Sequence, residues 1–317
     1  MRGFLAEVGT LRAASDTAGA FSTSVDAGLA AHGGRTTDVY PTLAQASPDA
    51  FAAAVHRLSG TPMAAGDAAV PFILMSVAKP FVLALAADAL GVDAVVSLTG
   101  MAATGLPFNS PEAITNGPRG RTNPMVNPGA ITVASLMGGG DAAAGERAIR
   151  DGLSAFAGRE LTADAAMVDA IHASNHRNRA LATLLHERGL LGGALEDALH
   201  LYTYQSCVEV TVRDLARMGA VLAGEGADPD TGATVVSPRA AGLAVEAMAL
   251  AGMYTATEAW MTAAGLPAKS GIAGGLVMVS PGWGAFAAWS PPLDTEGNPV
   301  RAQAAARAFA AALRAGD

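Results

Sequence analysis

The chain has 317 residues and a formal charge of −8, and half of it is hydrophobic, with alanine far outnumbering aromatic residues. That length allows one large domain or a core carrying one substantial insertion, and the apolar content fits a helix-rich globular protein and excludes a disordered one. The acidic balance and the scattered arginines leave no electrostatic footprint for DNA, RNA or an anionic membrane surface.

In chain order, residues 1–13 can form a short helix, and a Gly/Ser/Thr/Asp-rich connection follows. The opening Met1-Arg2-Gly3-Phe4-Leu5 has no apolar run long enough for a signal peptide, so a cytoplasmic location is the expectation. Phe51 to Leu58, the turn Ser59-Gly60 and Met63-Ala64-Ala65 read as a hairpin. From Ser76 to Leu90 the pattern is helical, with Phe81, Leu85 and Ala89 on one stripe and Gly91 as a stop. Helices are predicted over 143–156, 163–173, 178–188, 212–223 and 240–251, separated by Gly/Pro-rich loops such as Gly138-Gly139-Gly140-Asp141. Short apolar runs return at Gly275–Val279 and Gly284–Trp289, and a last helix covers about 300–315. The charge-free stretch from Ser270 to Leu293 is broken by Gly274-Gly275, Pro281-Gly282 and Pro291-Pro292, so it reads as strands and turns, not a membrane span.

This order predicts an α/β (α+β) fold with a mainly antiparallel sheet built from both chain ends and a helical insertion between them. Residues 1–90 and 255–317 form the sheet-containing part with its terminal helices, residues 91–254 the helical subdomain, together one compact catalytic unit.

Cation usage is the most informative count. Among 20 basic residues only Lys79 and Lys269 are lysines. Lysine differs from arginine in that burial can lower its pKa until it works as a neutral base. Lys79 lies in Ser76-Val77-Ala78-Lys79, where the i, i+3 spacing puts serine and lysine on one helix face. Serine needs an adjacent base to become a nucleophile, and a serine in the first helical turn also points its own N–H where an oxyanion would develop. Pro80 agrees with a helix start. Lys269 lies in Lys269-Ser270-Gly271, ahead of Gly274-Gly275, as an edge strand lining a cleft would need. A Lys-Thr/Ser-Gly strand facing a Ser-x-x-Lys helix is the arrangement of β-lactamase and penicillin-binding serine enzymes.

Further motifs follow: Pro107-Phe108-Asn109-Ser110, Asn123-Pro124-Met125-Val126-Asn127-Pro128-Gly129-Ala130-Ile131, Arg177-Asn178-Arg179-Ala180, Tyr202 with Gln205-Ser206-Cys207-Val208-Glu209, Met253-Tyr254, and Gly265-Leu266-Pro267-Ala268-Lys269-Ser270-Gly271. In this order and spacing, over residues 38–302, the chain resembles the glutaminase family, which shares the β-lactamase/transpeptidase-like fold. The resemblance implies hydrolysis of glutamine to glutamate and ammonia, with no metal or organic cofactor and a homodimer or homotetramer as the assembly. It implies Ser76 as nucleophile, Lys79 as base and Tyr254 as a proton shuttle. The N–H groups of Ser76 and Ile272 correspond to an oxyanion hole, and Asn127, Asn178 and Tyr202 to positions that hold the amino-acid substrate. Lys269 is a further candidate. Taken singly, Asn127 before Pro128 also fits a turn, Asn178 a helix cap and the tyrosines core packing.

One departure bears on substrate choice. Seven residues before Asn178 the family carries a glutamate that binds the α-amino group, and this chain has Ile171. Asp169 would compensate only through a shift of helix register. A related serine amidase or esterase for a ligand without a free amino group is the first alternative, and a catalytically silent binding protein the second. Elsewhere, His32, His56, His172, His176, His186 and His200 form no metal motif and are expected to be solvated or to cap helices. The single cysteine, Cys207, fits a reducing compartment and a small buried hydrophobe better than a nucleophile.

Overall fold

Strands from both ends of the chain meet in one sheet. The computed structural model describes residues 16–315, so the helix expected over 1–13 lies outside the described residues. Five strands, β1 (Ala52–Arg57), β2 (Met63–Gly66), β5 (Ala268–Ser270), β6 (Gly275–Ser280) and β7 (Gly284–Trp289), pair in the order β2-β1-β7-β6-β5. Every pairing is antiparallel. The hairpin read from Phe51 to Ala65 is β1 and β2, with Val55 opposite Met63. Two short strands, β3 (Phe72–Ile73) and β4 (Glu209–Val210), form a separate ladder.

The sheet is buried on both faces, which is why its central strands are continuously apolar. Ala53, Val55, Leu276, Met278, Phe286 and Ala288 face the two terminal helices, Thr17–Ala30 and Val300–Ala315, which pack on each other. Ala54, Val277, Val279, Ala285 and Ala287 face the larger core and the helix Val212–Ala223. That helix belongs by sequence to the helical middle of the chain, yet it lies flat on β1, β6 and β7. Gly219 makes the approach possible: a Cβ there would come within 2.6 Å of Ala285 and 2.7 Å of Val277.

Thr17–Ala30 is a helix where a connection was expected. Asp16 caps it by accepting from the Gly19 N–H at 2.7 Å, and tertiary packing overrides its weak small-residue periodicity. The helix Lys79–Leu90 is the axis of the helical part, with Phe81, Val82, Leu83 and Ala84 fully buried and Asn127–Ser135, Ala142–Ala157 and Pro238–Ala251 packed around it. Gly91 stops it, as read from sequence. Leu195–Ser206 is a further helix that periodicity did not reveal, and Cys207 is its C-cap. Among the described residues no single helix is long and apolar enough to cross a membrane.

Candidate active site

β3 runs into a short 3-10 turn, Met75–Ala78, before the helix Lys79–Leu90 begins. Ser76 therefore sits in the tight turn ahead of the helix expected to start at it, and a 3-10 turn eclipses i and i+3. Met75 holds a left-handed backbone with φ 47°, a conformation costing a non-glycine residue about 1 kcal/mol or more. The ladder with β4 braces the turn, and Leu74 N–H donates to the Val208 carbonyl at 2.9 Å. The result presents Ser76 half-buried at the wall of a cavity of about 450 Å³.

Lys79 is buried behind that wall. Its Nζ donates to Asn127 Oδ1 at 2.7 Å and to the Met125 carbonyl at 3.4 Å, and lies 5.9 Å from the centre of the Tyr202 ring. Burial pushes its pKa from 10.5 down to about 7. An amine half neutral near pH 7 can take a proton from a neighbouring hydroxyl. Asn127 opens the helix Asn127–Ser135, and its Nδ2 donates to Asn178 Oδ1 at 3.0 Å. Asn178 Nδ2 in turn donates to Asn175 Oδ1 at 2.7 Å, and Asn175 reaches Thr203 Oγ1 at 3.4 Å. A chain of amides thus joins the buried lysine to the cavity wall.

On the other side of Ser76 stands β5. Gly271 lets it come close: a Cβ there would meet the Leu74 carbonyl and Val77 Cγ2 at 3.0 Å. Tyr254, with φ 58°, donates from its hydroxyl to the Ser270 carbonyl at 3.3 Å, and Ser76 lies near enough to favour its ionised form. Burial pushes its pKa up to about 12 against the pull of Ser76 and Ser270, so it keeps its proton. Lys269 is fully buried with Nζ 3.9 Å from the centre of the Tyr254 ring, donating to the carbonyls of Gly252 at 2.9 Å and Ser270 at 2.7 Å. Burial, with Lys79 repelling a second charge, holds its pKa well below the usual lysine range.

Ser76, Asn127, Asn178, Tyr202, Ile171 and Ile272 all line the cavity, while Tyr254 and Lys269 stand behind Ser76. Burial raises the pKa of Tyr202. Ile171 points inward from the helix Ala165–Ala173 to a cluster with Met75, Met167 and Cys207. Asp169 is exposed on that helix and lies off the cavity, so no shift of register brings a carboxylate inward. Cys207 is buried with its thiol pushed up to about 12, which keeps it protonated. His56 departs from the solvated role expected of the histidines: it is buried and hydrogen-bonded to Asp230 at 3.1 Å. His172 stacks on His200, which bonds Glu146 at 2.9 Å.

Sequence reasoning missed three contributors. Asn175 has only its i, i+3 spacing to Asn178 as a signal. Phe108, quoted in a motif without a role, accepts from Asn127 N–H at 2.8 Å and packs its ring 4.8 Å from Tyr254. The strain at Met75 has no sequence signature.

The chain is similar to known proteins over most of its length. The profile of the family described as Glutaminase matches residues 34–316. Glutaminase 2 of Yersinia pestis is 41% identical over 280 residues, covering 88% of this chain and 82% of its own. A glutaminase of Brucella abortus is 40% identical over 287 residues, covering 90% of each. Among solved structures, a probable glutaminase superposes with a TM-score of 0.90 at 33% identity, over 94% of this chain and 97% of its own. Mglu, crystallised in its glutamate form, superposes with a TM-score of 0.87 at 33% identity, over 92% of this chain and 67% of its own. The antiparallel sheet from both termini with its helical insertion is the β-lactamase-like fold these structures share, and the chain belongs to the glutaminase family.

Proposed function

We propose that this glutaminase cleaves the side-chain amide of glutamine through an acyl-enzyme on Ser76. The observation that carries the reading is the buried Lys79, which ends the 3-10 turn holding the half-buried Ser76 three residues before it and whose pKa burial lowers to about 7. Neutral Lys79 takes the Ser76 proton as Oγ attacks the amide carbon. The oxygen of the resulting tetrahedral adduct is met by the N–H groups of Ser76 and Ile272. Collapse breaks the C–N bond, and the nitrogen leaves as ammonia after receiving a proton from Lys79 through Tyr254. Water then attacks the ester with Lys79 again as base, releasing the carboxylate and free Ser76. Tyr254 supports this role by keeping its proton while bonding the Ser270 carbonyl close to Ser76. Asn127, Asn178 and Tyr202 orient the substrate, and Lys269 holds β5 and the Tyr254 ring in place. That Mglu was solved in a glutamate form supports a five-carbon amino acid as ligand in the family.

The same reading includes a cytoplasmic location, in keeping with a single free, buried thiol. It includes assembly as a homodimer or homotetramer, which rests on the family resemblance. The mechanism is tested with Ser76→Ala. Glutamine turnover is expected to fall by at least ~10⁴-fold with the melting temperature unchanged, and retained activity would refute the covalent route.

A further inference from the structure

The one standing charge at the cavity wall among the described residues is the guanidinium of Arg177. Arg177 and His176 line it with the tyrosines Tyr40 and Tyr202, Lys79 lies behind it, and among the described residues no aspartate or glutamate lines it. Arg177 stands exposed at the rim and has no ion-pair partner among the described residues, whereas Arg179 is paired with Glu196. The amides of Asn127, Asn175 and Asn178 are committed to one another and to Lys79. The rest of the wall carries hydroxyls, those of Tyr40, Tyr202 and Ser206 among them, and an apolar side formed by Ile171, 3% exposed, with Met75 and Ile272 beside it. Asp169 is turned to solvent, and Asp164 is used as the cap of the Ala165–Ala173 helix, accepting from Met167 N–H at 3.0 Å.

Glutamine brings an amide, an α-carboxylate and an α-ammonium. The first can reach Ser76, and the second has Arg177. The ammonium has no anion to meet, and a buried cation without one is disfavoured. Removing that charge from the ligand removes the penalty and leaves the other two groups matched. We infer that the cavity selects a carboxylate-bearing terminal amide whose α-carbon carries no free ammonium, and that Ile171 is the residue that sets this preference. The preferred substrates are N-acylated glutamine or the monoamide of an unsubstituted five-carbon dicarboxylic acid, with glutamine itself a weaker third. The volume of about 450 Å³ has room for either class. This rests on the Ser76 acyl-enzyme reading and specifies its substrate.

The test compares kcat/KM of the full chain on glutamine, N-acetylglutamine and glutaric acid monoamide, with ammonia release as the readout. At least tenfold preference for one or both of the ammonium-free amides is expected, and which one leads tells acylation from simple absence of the amine. Glutamine equal to or better than both overturns the inference while leaving the Ser76 mechanism standing. Failure to cleave any of the three overturns both. Product binding gives a second arm that needs no turnover: in Ser76→Ala, calorimetry is expected to show glutarate binding at least tenfold tighter than glutamate, and the reverse order counts against the inference. In Ile171→Glu the preference is expected to invert, with KM for glutamine falling at least tenfold and KM for the monoamide rising. Ile171→Gln, polar but uncharged, is expected to leave the order as in wild type. Inversion by Ile171→Gln as well would overturn the charge argument.

Discussion

The two lysines of this chain are both buried, yet their surroundings differ in kind. Lys79 has one close partner, the amide oxygen of Asn127 at 2.7 Å, and a second, distant carbonyl at 3.4 Å. It stands at the head of an amide chain that reaches the cavity. Lys269 is held by two main-chain carbonyls at 2.7 and 2.9 Å and covered by the Tyr254 ring. Burial lowers both pKa values, so desolvation by itself does not distinguish a base from a strut. Access does: the side-chain partner of Lys79, Asn127, itself lines the cavity, whereas Lys269 bonds main-chain carbonyls beneath the Tyr254 ring.

The largest effect expected from breaking this contrast is at Lys79. Lys79→Arg is expected to lose as much turnover as Lys79→Ala, about 10²–10⁴-fold, because a guanidinium stays protonated and cannot serve as base. Activity within tenfold of wild type would show that Lys79 supplies only charge. Lys79→Met carries a stability signature as well. The folded pKa is depressed from 10.5 to about 7, so the unfolded chain binds more protons between those values and wild-type stability rises with pH across that window. Lys79→Met escapes the cost. It is expected to melt above wild type below about pH 7 and to lose the advantage by about pH 10.5.

Lys269→Met sharpens the same comparison. Removing the strut frees β5 and the Tyr254 ring, and turnover is expected to fall about ten- to a hundredfold through misplacement. The acid limb of the kcat/KM profile is the discriminating readout. Activity of the wild type is expected to drop about tenfold per pH unit below about 7, as Lys79 is protonated. In Lys269→Met that limb is expected to stay in place, because burial holds the Lys269 pKa well below the usual lysine range and so disfavours a charge there that could act on Lys79. A limb displaced upward would mean that Lys269 is charged in the resting enzyme.

A smaller loss is expected at Gly271→Ala. The added Cβ presses on the Leu74 carbonyl and Val77 at 3.0 Å, so β5 must retreat from the nucleophile turn. Melting should show about 1–3 kcal/mol of destabilisation, with turnover falling further than stability explains. The smallest effect is expected at Cys207→Ala, with turnover within twofold of wild type and about 1 kcal/mol of stability lost. The thiol is buried and stays protonated, so resistance of the wild type to thiol alkylation in the native state checks the same point.

Much of the scaffold was legible because its local signals agree with its tertiary use. β6 and β7 stand out as short apolar runs between Gly and Pro, and the helix 212–223 carries both a capping box and a strong apolar stripe. Thr17–Ala30 and Leu195–Ser206 were not legible, since small or mixed residues blur their periodicity and packing alone holds them. In the site, Ser76 with Lys79 and Lys269 with Gly271 announce themselves by spacing. Asn175, Phe108 and the left-handed Met75 do not, because their roles exist only once distant segments meet.

The sequence by itself determined which chemical groups are available: a serine three residues from one of two lysines, a glycine that lets a strand approach, and an isoleucine seven residues before Asn178. Only the tertiary structure decided what those groups are. Surrounding Lys79 with apolar helices and a single amide moves its pKa to about 7, and facing Ile171 into the cavity while Asp169 meets solvent leaves the wall without a carboxylate among the described residues. The physical reason is that proton affinity and ligand charge preference are set by desolvation and by neighbours in space, and neither can be read along the chain.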